Sequence, residues 1–294
     1  MTVPPQLLAD AFGDHDAQTT LVVDRRGTAL WRVDLHDGTQ YALKITTACT
    51  DPQGHVDSEH LALVEAQLLQ HLDRDGVITG LYHRHGQHPE RVGSWLTLSW
   101  LPGEEADTAF AKLRADPDDR GAAVHAAAMA GAVADLHDRG WRHGDMQEAH
   151  FLLGDGRAYL LDFAMAQPPD PADAPPVVIY RGQYDFFNSP ELAARRLATK
   201  PSESLELTTA SEVWSLCATI FACWTGVYPI SEKDTQLSTP ALRAELARGR
   251  CRDLASIRPW PFPAFEDIVM TGLSIDPAKR PTARQLQHMF EELM

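Results

Sequence analysis

Apolar and polar residues alternate in short runs over the first part of the chain and recur at helical spacing over most of the rest. From Thr19 to Thr46, the segments TTLVVD, ALWRVDL and QYALKIT predict three strands. Asp37-Gly38 joins the last two as a two-residue hairpin. Between the first two lies RRGT, with Gly27 as its glycine. Asp57 and Ser58 then cap a helix, EHLALVEAQLLQHL, that sets Leu61, Leu68 and Leu72 on one stripe. Glu65 falls inside that stripe. A carboxylate facing a core costs free energy unless it is paired, so Glu65 predicts a buried cationic partner, and Lys44 is the candidate.

Further along, YHRHGQHPE places His83, His85 and His88 beside Gly and Pro and reads as a solvated loop rather than a metal site. SWLTLSWLPGEE reads as a strand broken at Pro102-Gly103. A helix is predicted from Asp116-Pro117, carrying Ala122, Ala126, Met129, Val133 and Leu136 and ending at Gly140. HGDMQEAHFLLGDGRAYLLDF follows, with Asp145 just past that helix and Asp162 directly after the strand-like AYLL. The segment AQPPDPADAPPVVIYRGQYDFFNSPE is rich in proline and reads as a loop. From Thr209, ASEVWSLCATIFACWTG and the segments beyond it read as helices.

A chain of 294 residues that is 44% hydrophobic buries a substantial core, and suits one two-lobed domain or two small ones. The net charge of -15 disfavours nucleic acid and anionic membrane as partners and favours a basic substrate. Cys49, Cys217, Cys223 and Cys251 are scattered without a CxxC pair, which fits a reducing compartment. MTVPPQLLAD lacks the charged and long apolar regions of a signal peptide. The longest apolar run, VWSLCATIFACW, falls short of the roughly 20 residues needed to span a bilayer. A cytoplasmic protein is expected.

Two carboxylates held close by a short hairpin suit phosphoryl transfer, one facing a hydroxyl nucleophile and the other a phosphate-bound metal. HGDMQEAH resembles the catalytic loop HRDLxxxN of protein kinases, and DFA resembles their DFG. YALK resembles VAIK, SPE resembles APE, and ASEVWSL resembles SDVWSL of the central large-lobe helix. The landmarks stand in the family's order. The resemblance implies an α+β, bilobal protein-kinase-like fold, with a small antiparallel-sheet N-lobe and one helix over residues 1–101 and a mostly helical C-lobe over residues 102–294. The two lobes form a single catalytic domain.

The same resemblance implies ATP and a divalent metal, Mg or Mn, as cofactors. On that match Lys44 contacts the phosphates and pairs with Glu65, while Leu30 and Ala42 pack on the base and Leu152 forms the floor beneath it. Leu98 guards the back of the nucleotide pocket, the backbones of Ser99 and Leu101 face the adenine edge, and Glu105, or Glu104, reaches the ribose hydroxyls. Asp145 orients the substrate hydroxyl and accepts its proton, and Asp162 is the main metal ligand. His143 packs beneath the loop, and Glu191 pairs with Arg280.

Several positions depart from the family pattern. Only Gly27 remains of the glycine-rich loop, and Arg25 and Arg26 read as solvated turn residues rather than replacement cations. Gly144 replaces the arginine that receives a phosphorylated activation loop, and no serine or threonine lies between Asp162 and Asn188. Control by a regulatory partner, or constitutive competence, is expected instead. Gln147 stands for a lysine that neutralises the transferring phosphate. His150 stands for the metal-binding asparagine, where neutral imidazole suits Mn or Zn better than Mg. Ala164 replaces a glycine, and Glu212 an aspartate that braces the catalytic loop.

Three functions remain open at this level. The first is an atypical kinase acting on a Ser/Thr hydroxyl of a protein or peptide, and the second a pseudokinase serving as a binding or scaffold module. The third is a small-molecule phosphotransferase, since HGD is shared with that group. The SPE, VWS and RPTA features favour a protein or peptide substrate.

Overall fold

The computed structural model describes residues 2–25, 27–48, 60–173, 179–230 and 238–294. Arg26, Cys49, Asp57 and Ser58, on which expectations were placed, lie outside the described residues. The chain divides between Leu101 and Pro102 into two compact units.

Among its described residues, the first unit holds a five-stranded sheet in the order β1-β2-β3-β5-β4, every neighbouring pair antiparallel. Its strands are β1 (Gln18–Arg25), β2 (Thr28–Asp34), β3 (Gln40–Thr47), β4 (Tyr82–Gln87) and β5 (Gly93–Ser99). β2 and β3 run in unbroken register from Thr28↔Thr46 to Asp34↔Gln40, and Gly38 at φ 85° supplies the left-handed backbone of their turn. Alternation along the strands sends Ala29, Trp31, Val33, Leu43 and Ile45 to one buried face. A helix α1 (Pro5–Phe12) covers that face with Leu7, Leu8 and Ala11, and is stopped by Gly13 at φ 72°. Leu30, Ala42 and Lys44 occupy the opposite face, towards helix α2 (Leu61–Arg74). On α2, Val64, Glu65, Leu68, Leu69 and Leu72 are buried, whereas Leu61 at the first turn is only half-buried.

Two elements here differ from the reading of the sequence. YHRHGQ is strand β4 rather than a loop, because Gly86 marks a close approach and not a turn. A Cβ at Gly86 would lie 2.6 Å from the Trp95 ring on β5. His83 bonds Ser99 Oγ at 2.8 Å and His85 bonds the Tyr82 hydroxyl at 2.8 Å. The second is α1, which adds a helix to the one expected. Its eight residues, opening on Pro4-Pro5, are too few for a periodic signal to stand out.

The second unit is mostly helical. A three-stranded sheet joins β6 (Glu104–Glu105), β7 (Phe151–Gly154) and β8 (Arg157–Leu160). The helices are α3 (Ala106–Ala115), α4 (Asp119–Asp138), α5 (Pro190–Ala198), α6 (Thr209–Thr225), α7 (Thr239–Leu246), α8 (Pro263–Gly272) and α9 (Ala283–Glu291). Asp116-Pro117 is therefore the link between α3 and α4 rather than the start of a helix. Asp116 is extended at the end of α3, as a residue before proline tends to be. The five apolar α4 residues named from the sequence are all buried. Helix α6 is buried on every side from Ser211 to Trp224, which is why its sequence shows no polar face. Thr208 and Ser211 form a capping box at its start. Among the described residues no helix is long and apolar enough to cross a membrane.

Candidate active site

The residues with candidate chemistry fall into two sets, one on each unit. In the first unit Lys44 projects from β3 and its Nζ lies 2.7 Å from Glu65 Oε2 on α2. Glu65 is 1% exposed, so the carboxylate that breaks the apolar stripe has the cation it requires. Cross-strand register places Leu30 opposite Lys44 and Ala42 opposite Leu98, all on one face. Leu30, Ala42 and Leu98 are half-buried, as are Tyr41 and Ser99 on the other face, whereas Trp31, Leu43 and Thr97 there are buried. Leu30, Ala42 and Leu98 leave an apolar strip beside an ammonium group, a surface able to take a flat base next to phosphate. At the end of β5 the Ser99 N–H is taken by Leu81 O at 2.8 Å. The Leu101 N–H meets no acceptor among the described residues.

In the second unit α4 ends at Asp138 and Gly140 turns the chain at φ 78° into the segment 141–150. Glu212, 1% exposed on α6, holds this segment by its backbone. Its Oε1 accepts the Gly144 N–H at 2.7 Å and its Oε2 accepts the His143 N–H at 3.0 Å. His137 Nε2, from the last turn of α4, lies 2.8 Å from the same Oε2. Glutamate thus spans the distance expected of a shorter aspartate, and its charge is spread over three donors. Gly144 has a reason beyond the missing arginine: its φ is 83°, and a Cβ there would lie 2.2 Å from Met165 O.

His143 is fully buried against Phe163, the ring centroids 5.0 Å apart. Burial, helped by the nearby His150, pushes its pKa down to about 4, so the ring is neutral. Its Nε2 donates to Leu161 O at 2.9 Å and its Nδ1 accepts the Asp145 N–H at 3.3 Å. Asp145 therefore stands on a rigid base, with its side chain 22% exposed. The Gln147 amide nitrogen donates to Asp145 Oδ2 at 3.2 Å. His150, 7% exposed, lies between the two acidic residues. Its Nδ1 is 2.7 Å from the Asp145 carbonyl oxygen, and its Nε2 is 3.9 Å from Asp162 Oδ2. Asp162 adopts a left-handed backbone, φ 61° and ψ 75°, uncommon for a residue other than glycine. That conformation turns the chain from β8 into Phe163, Ala164 and Met165 and keeps the carboxylate partly exposed.

Leu152 on β7 is half-buried and lies opposite the exposed Glu105 on β6. Glu104 is occupied by Lys112 at 2.6 and 2.7 Å. Glu191 and Arg280 form the expected pair, joined by hydrogen bonds of 2.7 and 2.9 Å. Arg280 also stacks over Trp214, with 5.1 Å to the ring centroid. Of the tyrosines after Asp162, Tyr180 is buried among Leu192, Leu205 and Leu207, and Tyr184 is half-exposed.

His137, Met165 and Trp214 were not singled out from the sequence. For His137 the available signal was a histidine in the last turn of a helix, next to a loop that needed bracing. No group of three or more His, Cys, Asp or Glu among the described residues is arranged to hold a metal alone. One carboxylate and one imidazole fit a divalent ion that takes its remaining ligands from phosphate and water.

A family model described as protein kinase domain matches residues 26–290. Among curated proteins, the chain is 27% identical to mitogen-activated protein kinase kinase kinase 3 of Arabidopsis thaliana over 52% of this chain and 24% of that protein. It is 24% identical to maternal embryonic leucine zipper kinase of Xenopus tropicalis over 70% of this chain and 28% of that one. It is 26% identical to calcium and calcium/calmodulin-dependent serine/threonine-protein kinase of Lilium longiflorum over 69% and 37%. The chain thus spans well under half the length of each of these relatives.

Proposed function

The chain belongs to the protein kinase domain family, and from that premise we propose that it is an atypical ATP-dependent kinase. It transfers the γ-phosphate to a Ser/Thr hydroxyl of a protein or peptide. The observation that carries this reading is the pinned loop: Glu212 holds the backbone of both His143 and Gly144, so Asp145 keeps a fixed position although two family residues are replaced. In this role Asp145 orients the acceptor hydroxyl and takes its proton. The Gln147 amide donates a hydrogen bond where a lysine would supply charge, which predicts slow turnover.

Lys44, held by Glu65, contacts the phosphates of ATP, and Leu30, Ala42, Leu98, the Ser99 and Leu101 backbones, Glu105 and Leu152 serve the base and ribose. Asp162 and His150 hold the divalent ion, which neutralises charge on the phosphates. With Gly144 and no serine or threonine between Asp162 and Asn188, control falls to a partner rather than to phosphorylation of that segment. The net charge of -15 favours basic substrates, and a cytoplasmic setting fits the scattered cysteines.

Thermal melts with ATP and Mg or Mn, and labelled-phosphate transfer to basic Ser/Thr peptides, test the reading together. Nucleotide with metal should raise Tm, Asp162→Ala should remove the shift, and Asp145→Ala should keep it while abolishing transfer. Absence of any nucleotide response would leave a binding module instead. Transfer to small-molecule alcohols but to no peptide would favour the small-molecule phosphotransferase.

A further inference from the structure

Gln167 ties the loop that carries Asp145 to a stretch far along the chain. Its backbone forms a two-bond bridge with Arg142, the residue before His143, at 3.0 and 2.8 Å. Its side chain bonds a strap made of residues 203–207: Nε2 donates to Leu205 O at 3.1 Å, and Oε1 accepts the Leu207 N–H at 3.0 Å. The two bonds use opposite ends of the amide, so turning it over would lose both. The same strap holds a second segment. The Leu205 N–H donates to Tyr180 O at 2.7 Å, and the Tyr180 N–H donates to Ser204 Oγ at 3.2 Å. The Tyr180 ring, 3% exposed, packs among Leu192, Leu205 and Leu207 with Met165 against them, and its hydroxyl meets no partner among the described residues. Arg181 adds bonds to Thr199 Oγ1 and Glu203 O at 2.7 Å each, to Arg196 O at 2.9 Å and to Thr199 O at 3.3 Å. Past Leu207 comes Thr208, the cap of α6, whose Glu212 holds His143 and Gly144. The strap thus closes a ring from the Asp145 loop through Gln167 to α6 and back through Glu212.

We propose that Gln167 and the 203–207 strap clasp the segment after Asp162 in its working shape without a phosphate, with Gln167 as the positioning residue. A phosphate orders such a segment by giving nearby cations new acceptor oxygens. Here the chain supplies the acceptors itself, as the Leu205 carbonyl for Gln167 and the Arg196, Thr199 and Glu203 carbonyls for Arg181. The Tyr180 hydroxyl is enclosed and closed to a phosphoryl donor, and no serine or threonine lies between Asp162 and Asn188. Tyr184, half-exposed, is the hydroxyl of that segment left within reach. Gln167 acts on the loop through the Arg142 backbone and on Tyr180 through Leu205, touching neither nucleotide nor acceptor. Its effect on turnover rests on the kinase reading, whereas the clasp itself does not.

Site-resolved amide exchange and peptide kinetics on the full chain, before and after phosphatase treatment, test the clasp. Gln167→Ala should speed exchange of the Leu207 N–H, which loses its acceptor, and of the Leu205 N–H, which keeps its own, each by about three- to tenfold, the factor of one neutral hydrogen bond. The same variant should raise KM for a basic Ser/Thr peptide by about that factor and leave KM for ATP unchanged. Gln167→Glu should loosen the strap too, since its second oxygen would face the Leu205 carbonyl. Tyr180→Phe should preserve both exchange rates, because the hydroxyl bonds nothing. Phosphatase treatment and Tyr184→Phe should leave turnover as it was. Unchanged Leu205 exchange in Gln167→Ala, equal rises in both KM values, faster exchange in Tyr180→Phe, or turnover that phosphatase or Tyr184→Phe removes would overturn the proposal. Slow Leu205 and Leu207 exchange that Gln167→Ala speeds, with no transfer by any form of the protein, would sustain the clasp and count against the kinase reading. Should Gln167→Ala fail to fold by circular dichroism, exchange in the parent decides: Leu205 and Leu207 amides as fast as in an open chain would overturn the clasp.

Discussion

Glu212 reaches 68 residues back along the chain to accept the Gly144 N–H at 2.7 Å. Removing that carboxylate leaves the Gly144 and His143 N–H groups and His137 Nε2 without their acceptor in a buried place. Glu212→Ala is expected to cost roughly 3–5 kcal/mol in urea unfolding. Glu212→Gln, which keeps one acceptor oxygen, should cost less. A Glu212→Ala protein as stable as the parent would contradict the brace.

Gly144→Arg restores the family's arginine in sequence but not in space. The backbone there is left-handed and a Cβ would overlap Met165 O. Both Gly144→Arg and Gly144→Ala should lose about 2 kcal/mol or more, with no gain in phosphotransfer. Melting curves and a transfer assay check this together, and an activated, stable Gly144→Arg would refute it.

The Arg280 side chain is fully buried and fixed by Glu191 and by the Ala210, Ser274 and Ile275 carbonyls. Arg280→Ala should destabilise by roughly 3–5 kcal/mol, and Arg280→Lys by less, since lysine keeps the charge opposite Glu191 although it cannot make the paired contact. Burial alone would raise the Glu191 pKa, but its hydrogen bonds and the Arg280 charge outweigh that and lower it. Glu191 therefore stabilises the fold above the ordinary glutamate pKa, and this is lost as pH falls through the lower folded value. The stability gap between the parent and Glu191→Gln should close on acidification below about 4.5.

His143 predicts a second acid limb at higher pH. Its folded pKa, about 4, lies below the ordinary 6.5, so the unfolded chain takes up a proton first as pH falls. Its contribution is complete above about 6.5 and should shrink by about 1.4 kcal/mol per pH unit down to about 4. His143→Gln should flatten the pH dependence over that window. An imidazole resonance of His143 titrating near 6.5 by NMR would refute the assignment.

Leu7 tests whether α1 belongs to the core of the first unit. It is fully buried in the cluster that includes Trp31, Val33 and Leu43. Leu7→Ala should cost about 2–5 kcal/mol. A loss near zero would show that α1 is a dispensable addition.

The strands β1 to β3 and the stripe of α2 were readable from alternation and helical spacing, because each depends on neighbours a few residues away. The Lys44–Glu65 pair was readable for a different reason: a carboxylate on a buried face requires a cation, and the resemblance of YALK to VAIK singled out Lys44. β4 was not readable, since Gly86 and three histidines imitate a loop. Its glycine answers to the Trp95 ring on the next strand. The start of α4 was misplaced because a good cap pair also serves as a link after α3.

The order of the landmarks and the family they resemble follow from motifs read along the chain, and the pairing of the buried Glu65 from its place in a periodic apolar stripe. The reach of Glu212, the closeness of Met165 O to Gly144 and that of His150 Nδ1 to the Asp145 carbonyl do not follow from it. Each depends on which atoms from distant segments meet within about 3 Å, and that is settled by packing. A missing arginine thus became a place where no side chain fits, and a replaced asparagine became an imidazole set 2.7 Å from the Asp145 carbonyl oxygen and 3.9 Å from Asp162.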